Sequence, residues 1–222
     1  RDGTADDASE GIVYLDSAQL RIVLQGENIV KATNPGIMIN RGADTIISSE
    51  NGGSLEVVSK QGDAICANGA LTVESGTISA TAANRGIAAN GINFTGGRIV
   101  APGTGERGYG IYCERLPWLP DNSVSINSGI TSLIASGTLG AVYGNVANAL
   151  EGLGWSNITG TEGQKTIAVT DEARSLEYKK VAFVSHTHSF TYSASGATIT
   201  ATCDNANGGC MLTDSKATLT IA

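Results

Sequence analysis

A short pattern of small, apolar and polar residues recurs along the chain. Its clearest copy is Gly86-Ile87-Ala88-Ala89-Asn90, and the other copies begin at Gly36, Ala64, Gly110 and Ala141. In every copy a small residue precedes a β-branched one, and these aligned β-branched residues are 28, 22, 24 and 31 positions apart. A repeat of this length predicts a solenoid, in which each coil stacks on the one before it.

Two further strand-like segments lie between successive copies of this motif. The apolar positions of the first are Leu20, Ile22 and Leu24, then Ile46, Leu71 and Val73, Ile92 and Phe94, and Val124 and Ile126. The second follows Gly53, Gly76 and Gly97, and its last copy, residues 129–135, is longer, which predicts a bulge. Alternation with period two places the apolar set on one face. We therefore predict an all-β fold, a right-handed parallel β-helix of about five coils with three short strands per coil.

The alignment gives each motif position an expected environment. Ile87 and Ala89 are expected to face the interior, and Ala88 is expected to face solvent. Asn90 ends the motif at a corner, where stacked asparagines bond to each other and tolerate a left-handed backbone. The equivalent asparagines are Asn40, Asn68 and Asn145. The same alignment directs Cys113 inward and Cys66 outward, and it predicts no disulfide between them.

The repeat ends before the chain does. Residues 146–178 lack it, and we interpret them as a C-terminal cap that covers the exposed strand edges of the last coil. Within this cap, residues 146–153 (VANALEGL) predict a short helix. Residues 1–178 are therefore assigned to the β-helix with its caps, and residues 179–222 to a small antiparallel β module.

In this module, two alternating segments flank Ser195-Gly196. A two-residue turn at that dipeptide pairs Tyr192 with Ile199, and His188 with Cys203. Residues 217–221 alternate in the same way and predict a third strand.

Composition and charge exclude some classes of partner. The chain has 222 residues, 29 of them glycine, a net charge of −7 and no Lys/Arg cluster, which argues against nucleic acid and anionic membranes as partners. No apolar run has the length of a transmembrane span. The sequence begins at Arg1 without a signal-peptide core, as expected of a processed secreted protein or a trimmed chain. We expect a monomer.

A possible metal site lies in the C-terminal module. His186 and His188 share one strand face, Cys203 is opposite His188 in the predicted register, and Cys210 follows a short loop. Two imidazoles and two thiolates would satisfy tetrahedral zinc. A Cys203–Cys210 disulfide is an alternative in an exported protein, and two free thiols beside surface histidines are another. No other cofactor is expected.

A possible ligand groove lies on the outer face of the coils. Tyr112 and Tyr143 occupy outward positions, and an inserted loop supplies Glu114, Arg115 and Trp118. Aromatic rings pack against the apolar faces of sugars, and charged side chains bond their hydroxyls. In the alternative interpretation, the aromatic residues only brace the loop.

The tail, HTHSFTYSASGATITATCDNANGGCMLTDSKATLTIA (residues 186–222), resembles repeat modules of large secreted surface proteins of gut Firmicutes. The Gly-rich coils resemble the β-helical adhesin-like or "carbohydrate-binding domain-containing" regions of those proteins. This resemblance implies a bacterial secreted or cell-surface protein with an adhesive or binding role. Its partners would be host or dietary glycans, or a surface protein.

A catalytic role has less support in the sequence. The only two histidines lie in the tail, so a Ser-His-Asp arrangement on the coils is not expected. Outward coil positions carry mostly Thr, Ser and Val, with scattered charges at Glu56, Glu74 and Arg98. We therefore predict a non-enzyme. A polysaccharide lyase or hydrolase on a β-helix and a structural spacer are the alternatives.

Overall fold

A computed structural model of the chain describes residues 11–40, 42–113, 123–127, 129–147, 155–157, 165–167, 179–184, 190–196, 198–203 and 213–214. Every helix or strand assigned within these ranges is a β-strand. Over the same residues, no helix has the length and apolar character that crossing a membrane requires.

The strands are numbered in chain order. The first nine are β1 (Ile12–Tyr14), β2 (Leu20–Ala32), β3 (Ile37–Ile39), β4 (Thr45–Ser59), β5 (Ile65–Val73), β6 (Thr77–Ala82), β7 (Arg85–Phe94), β8 (Gly97–Gly103) and β9 (Tyr109–Cys113). The next five are β10 (Ser123–Ile126), β11 (Ile130–Gly137), β12 (Gly140–Tyr143), β13 (Asn145–Ala147) and β14 (Trp155–Asn157). The last five are β15 (Lys165–Ile167), β16 (Lys180–Val184), β17 (Phe190–Ser195), β18 (Thr198–Cys203) and β19 (Thr213–Asp214).

The repeated motif forms one parallel ladder along the molecule. Strands β1, β3, β5, β7, β9 and β12 pair in that order. Its aligned residues are Ile12, Ile37, Ile65, Ile87, Ile111 and Val142. The five predicted rungs are thus confirmed, and Ile12 adds another. We name this set of strands the motif ladder.

Two more parallel ladders complete each coil. One joins the N-terminal halves of β2 and β4, the C-terminal halves of β5 and β7, and then β10 and β13. The other joins the C-terminal halves of β2 and β4 with β6, β8 and β11. The register shift between Ile130 and Ser132 is the predicted bulge. The predicted fold class is therefore confirmed as an all-β parallel β-solenoid.

The interior is filled by aligned apolar residues from the three ladders. Ile65, Ile87 and Ile111 are fully buried one above another, and Phe94 is among the largest buried side chains. Burying one such side chain contributes about 1.5–3 kcal/mol, and the stack repeats this gain in every coil. The predicted inward positions Ala89 and Cys113 are also buried in this core.

The prediction that Ile46 faces inward is wrong. Ile46 pairs with Arg21 and Thr72 in an outward column and is half-buried. Thr45 and Ile47 are the buried residues of this strand. The Thr45 hydroxyl donates a 3.5 Å hydrogen bond to the Ala43 carbonyl, so this buried polar group has a hydrogen-bond partner.

The last coil ends in strands. The helix predicted from Val146 is wrong at its start, because Val146 belongs to β13 and pairs with Val124 of β10. Pairing with the coil below and packing on the core outweigh the helix propensity of this segment. Residues 148–153 lie outside the described residues.

Strand β16 covers the edge of the last coil. It runs antiparallel to β11 and pairs Val181 with Ala135, and β14 and β15 follow on its other side. Val181 is buried in the solenoid core. Although β16 lies in the range assigned to the C-terminal module, it thus extends the solenoid sheet.

The C-terminal module contains a three-stranded antiparallel sheet, with β18 between β17 and β19. The predicted hairpin register is wrong by two residues, since Tyr192 pairs with Ala201, and Phe190, not His188, is opposite Cys203. Ser195 pairs with Thr198, and Gly196, which follows Ser195, has the positive φ (61°) that two-residue hairpin turns require. The predicted third strand at 217–221 lies outside the described residues.

Candidate functional site

The outer side of the motif ladder carries one residue per coil in register. These residues are Met38, Cys66, Ala88, Tyr112 and Tyr143, as predicted. Strand stacking places the rings of Tyr112 and Tyr143 in parallel contact, with centroids 4.6 Å apart and planes 8° apart. Because neighbouring strands lie at nearly this spacing, the solenoid itself positions the two rings.

Tyr109 completes a group of three rings, which we call the tyrosine cluster. Its centroid lies 5.5 Å from that of Tyr112 and 5.6 Å from that of Tyr143, and its plane is inclined by 61° and 62° to them. These are edge-to-face contacts, a favourable geometry for aromatic pairs. Sequence analysis missed Tyr109 because strict alternation places it on the inward face with Ile111. The contacts of the Tyr109 ring with the rings of Tyr112 and Tyr143 show that this alternation fails within β9.

Arg85 extends the tyrosine cluster toward the preceding coil. Its Cζ lies 4.8 Å from the centroid of the Tyr112 ring, a distance typical of a cation–π contact. Arg85 lies on β7 and pairs with Tyr109 on β9, and β9 in turn pairs with β12, which carries Tyr143. The Tyr112 ring is therefore held between a guanidinium group and a second tyrosine.

Asp63 fixes the position of Arg85. Its carboxylate accepts hydrogen bonds from Arg85 Nη2 at 2.5 Å and Nε at 2.9 Å, and from Asn84 Nδ2 at 2.8 Å. Burial lowers the pKa of Arg85, but the hydrogen bond and charge of Asp63 outweigh that effect and raise the pKa above its ordinary value. The side chains of Arg85 and Asp63 are 26% and 9% exposed. The positive charge is thus compensated where it touches the ring.

A small cavity opens beside the tyrosine cluster. Its volume is about 40 Å³, and its lining includes Cys66, Asn68, Arg85, Ala88, Asn90 and Tyr112. Ala88 is 3% exposed, so the prediction that it faces solvent is wrong. It lies on the outer side as predicted and outside the interior core, where it lines the cavity together with Arg85 and Tyr112.

The asparagines at the corner are linked from coil to coil. Asn68 Nδ2 donates to Asn40 Oδ1 at 2.9 Å, and Asn90 Nδ2 donates to the carbonyl oxygen of Asn68 at 2.6 Å. The predicted side-chain and backbone bonding is therefore confirmed. The predicted left-handed backbone is not found, because Asn51 is the non-glycine residue with positive φ in the described part of the chain. Asn51 lies at a different corner, within β4.

The two cysteines of the coils lie on opposite sides of the wall. Cys113 is buried in the core and Cys66 is half-buried outside, and no disulfide joins them, as predicted. Desolvation by burial raises the pKa of Cys113 to about 11, so this thiol stays protonated at neutral pH. Its Sγ donates a 3.5 Å hydrogen bond to the Asn90 carbonyl.

The remaining predicted site residues belong to the proposed groove and the proposed metal site. Glu114, Arg115 and Trp118 of the proposed groove lie outside the described residues, as do His186, His188 and Cys210 of the proposed metal site. Cys203 is the last residue of β18 and pairs with Phe190. Across the described ranges, no group of three or more His, Cys, Asp or Glu side chains could hold a metal ion.

Comparison of the chain with models of protein families, with curated proteins and with solved structures found no match.

The site therefore consists of aromatic rings, one compensated arginine and two corner amides. The rings offer edges and faces for apolar contact, and the amides of Asn68 and Asn90 offer neutral hydrogen-bonding groups. Arg85, Asp63 and Tyr109 were not predicted as site residues. They occupy the same column two positions before the aligned isoleucines, so a comparison of that column across coils would have drawn attention to them.

Proposed function

We propose that this protein is a non-catalytic, secreted or cell-surface protein of the adhesin type, and that it binds glycans at the tyrosine cluster. The observation that supports this proposal is the packing of Tyr109, Tyr112 and Tyr143 on the outer wall of the solenoid. A pyranose ring has an apolar face of C–H groups that packs on aromatic rings, while its hydroxyls bond to polar neighbours.

Within the cluster, Tyr143 is the ring we expect to contact a sugar most directly. Arg85 lies over Tyr112 and Tyr143 stacks on it, so contacts on Tyr112 are limited to its edge. The ring contacts that Tyr143 makes with described residues are those with Tyr109 and Tyr112. The loop residues Glu114, Arg115 and Trp118 directly follow β9 in the chain, and we include them in the proposed binding surface.

The same observation favours one other role. All three tyrosines are half-buried and packed against each other, as expected if they only brace the outer wall of a structural spacer. The two roles differ in whether the surface has a ligand, so a binding measurement separates them.

A glycan array followed by calorimetry on the full chain tests the proposal. We expect Tyr143→Ala to weaken binding by about tenfold or more, equivalent to roughly 1.4 kcal/mol, because the main stacking surface is removed. Trp118→Ala should weaken it as well. Tyr192→Ala is the matched control, since Tyr192 is an exposed tyrosine in the C-terminal module. A wild-type chain that binds no glycan, or a Tyr143→Ala chain that binds like the wild type, would support the spacer instead.

A further inference from the structure

We infer that the glycan bound at the tyrosine cluster carries an N-acetyl group, and that the cavity beside the cluster receives it. The inference rests on the proposed function. Three features of the cavity carry it, namely its position, its size and the chemistry of its lining.

The cavity adjoins the surface on which a sugar would lie. Tyr112 belongs both to the tyrosine cluster and to the cavity lining, and Arg85 forms part of the wall while it lies over the same ring. A glycan that packs one sugar on Tyr143 and extends along the edge of Tyr112 would therefore place a substituent of the neighbouring sugar at the cavity mouth.

The size of the cavity suits a small substituent. A cavity needs about 10–15 Å³ to hold one water molecule. The cavity of about 40 Å³ therefore has room for about three groups of that size. An acetyl group consists of a carbonyl carbon, its oxygen and a methyl group, and it matches this volume. A single hydroxyl would leave most of the cavity unfilled.

The lining combines apolar and polar groups in the way an acetamido group requires. Ala88, almost completely buried, offers its methyl group to an acetyl methyl. Asn68 and Asn90 each donate one amide hydrogen in the corner ladder, and a primary amide carries two. The second N–H of either residue is suited to the acetyl carbonyl oxygen.

The electrostatics favour a neutral carbonyl over a carboxylate. Both Nε and Nη2 of Arg85 already bond to Asp63, so the positive charge in the wall is compensated. The chain also has a net charge of −7, which disfavours an acidic ligand. The acetamido group of an N-acetylhexosamine fits these conditions better than the carboxylate of a uronic acid.

Calorimetry with two matched oligosaccharides tests this inference. A β-1,4-linked N-acetylglucosamine oligomer and the glucose oligomer of the same linkage and length differ only in the substituent at C2. We expect the wild-type chain to bind the acetylated oligomer about tenfold more tightly or better, as one buried group usually discriminates. Saturation-transfer NMR should show the strongest transfer at the acetyl methyl protons.

A variant that fills the cavity provides the second arm. Ala88→Val should reduce the preference for the acetylated oligomer to about twofold or less, because the added methyl groups fill the cavity that receives the acetyl group. Ala194→Val makes the same change at an exposed position of β17 and should keep the full preference. The NMR measurement needs no variant, so it stands if Ala88→Val fails to fold.

The outcomes separate this inference from the proposed function. Equal binding of both oligomers by the wild type, with both weakened by Tyr143→Ala, overturns the N-acetyl inference alone. A preference that survives in folded Ala88→Val does the same. Failure of the wild type to bind either oligomer or any other glycan overturns both.

Discussion

Asp63 is the residue that links the solenoid wall to the tyrosine cluster. Its carboxylate is almost buried and accepts hydrogen bonds from Arg85, from the Asn84 side chain and from the Arg85 backbone N–H at 3.1 Å. A buried carboxylate requires this number of donors, because unsatisfied charge in a low-dielectric environment is unfavourable. Through Arg85, the same bonds hold a guanidinium over the Tyr112 ring.

Replacing Asp63 by alanine is therefore expected to destabilise the fold by about 2–3 kcal/mol. The change leaves the partly buried Arg85 charge without its anion and Asn84 without its acceptor. Urea unfolding measures the loss. Glu74→Ala is the control, since it breaks the Arg21–Glu74 ion pair, whose side chains are 50% and 40% exposed, and it should change stability by less than about 1 kcal/mol. Equal losses in the two variants would contradict the role given to Asp63.

At the scale of the element, strand β7 shows why the motif begins with a small residue. A Cβ added at Gly86 would lie 2.7 Å from the carbonyl oxygen of Gly110 and 2.8 Å from that of Ala80. These are backbone atoms of neighbouring strands, which cannot move without disturbing the ladders. Gly91, in the same strand, has the Ala70 Cβ as its nearest neighbour at 3.8 Å.

The contrast predicts opposite outcomes for one substitution at two sites in one strand. Gly86→Ala should destabilise the protein by about 1–3 kcal/mol, because the added methyl group is forced against backbone. Gly91→Ala should be neutral or slightly stabilising, since alanine restricts the unfolded chain more than glycine does. Thermal unfolding followed by circular dichroism gives the melting temperature of each variant. A Gly86→Ala melting temperature equal to or above that of the wild type would refute the packing argument.

The motif ladder could be predicted from the sequence because its apolar residues fix both the face and the register. A shift of one residue would move Ile87 from the core to solvent, so the pattern admits a single alignment. In β4, Thr45, Ile46 and Ile47 do not fix the face in this way, because either alternation places one isoleucine inside.

The register of the hairpin between β17 and β18 is ambiguous for another reason. A shift of two residues keeps every side chain on its face, and the choice of turn then decides the register.

The parts of the site that escaped prediction depend on how coils turn and meet. Alternation within a strand places Tyr109 inside, but its ring lies beside that of Tyr112. Ala88 is on the predicted side, yet it is buried beside the cavity that it lines together with Arg85 and Tyr112. Such contacts follow from three-dimensional stacking, which the period of a single strand does not contain.

At the scale of the whole molecule, the two ends of the solenoid differ within the described residues. At the C-terminal end, β16 pairs along β11 and buries Val181 in the core. In the first coil, Ile12 and Ile29 remain about half exposed, although Ile12 belongs to the inward column. Each coil of a solenoid contacts only its neighbours, so stability is approximately a sum of local terms. A defect at one end should therefore remain at that end.

Val181→Asp tests this locality. An unpaired carboxylate in the core should detach β16 and weaken protection of the β11 amides by about 3 kcal/mol, or about 100-fold in hydrogen exchange. Protection in β4 and β2, which lie three and four coils away in the same ladder as β11, should be unchanged. The uncovered edge of β11 should also promote association, seen as earlier elution in size-exclusion chromatography. Lys180→Asp alters an exposed residue of the same strand and should show neither effect. Uniform loss of protection in all coils would mean that the solenoid unfolds as one cooperative unit.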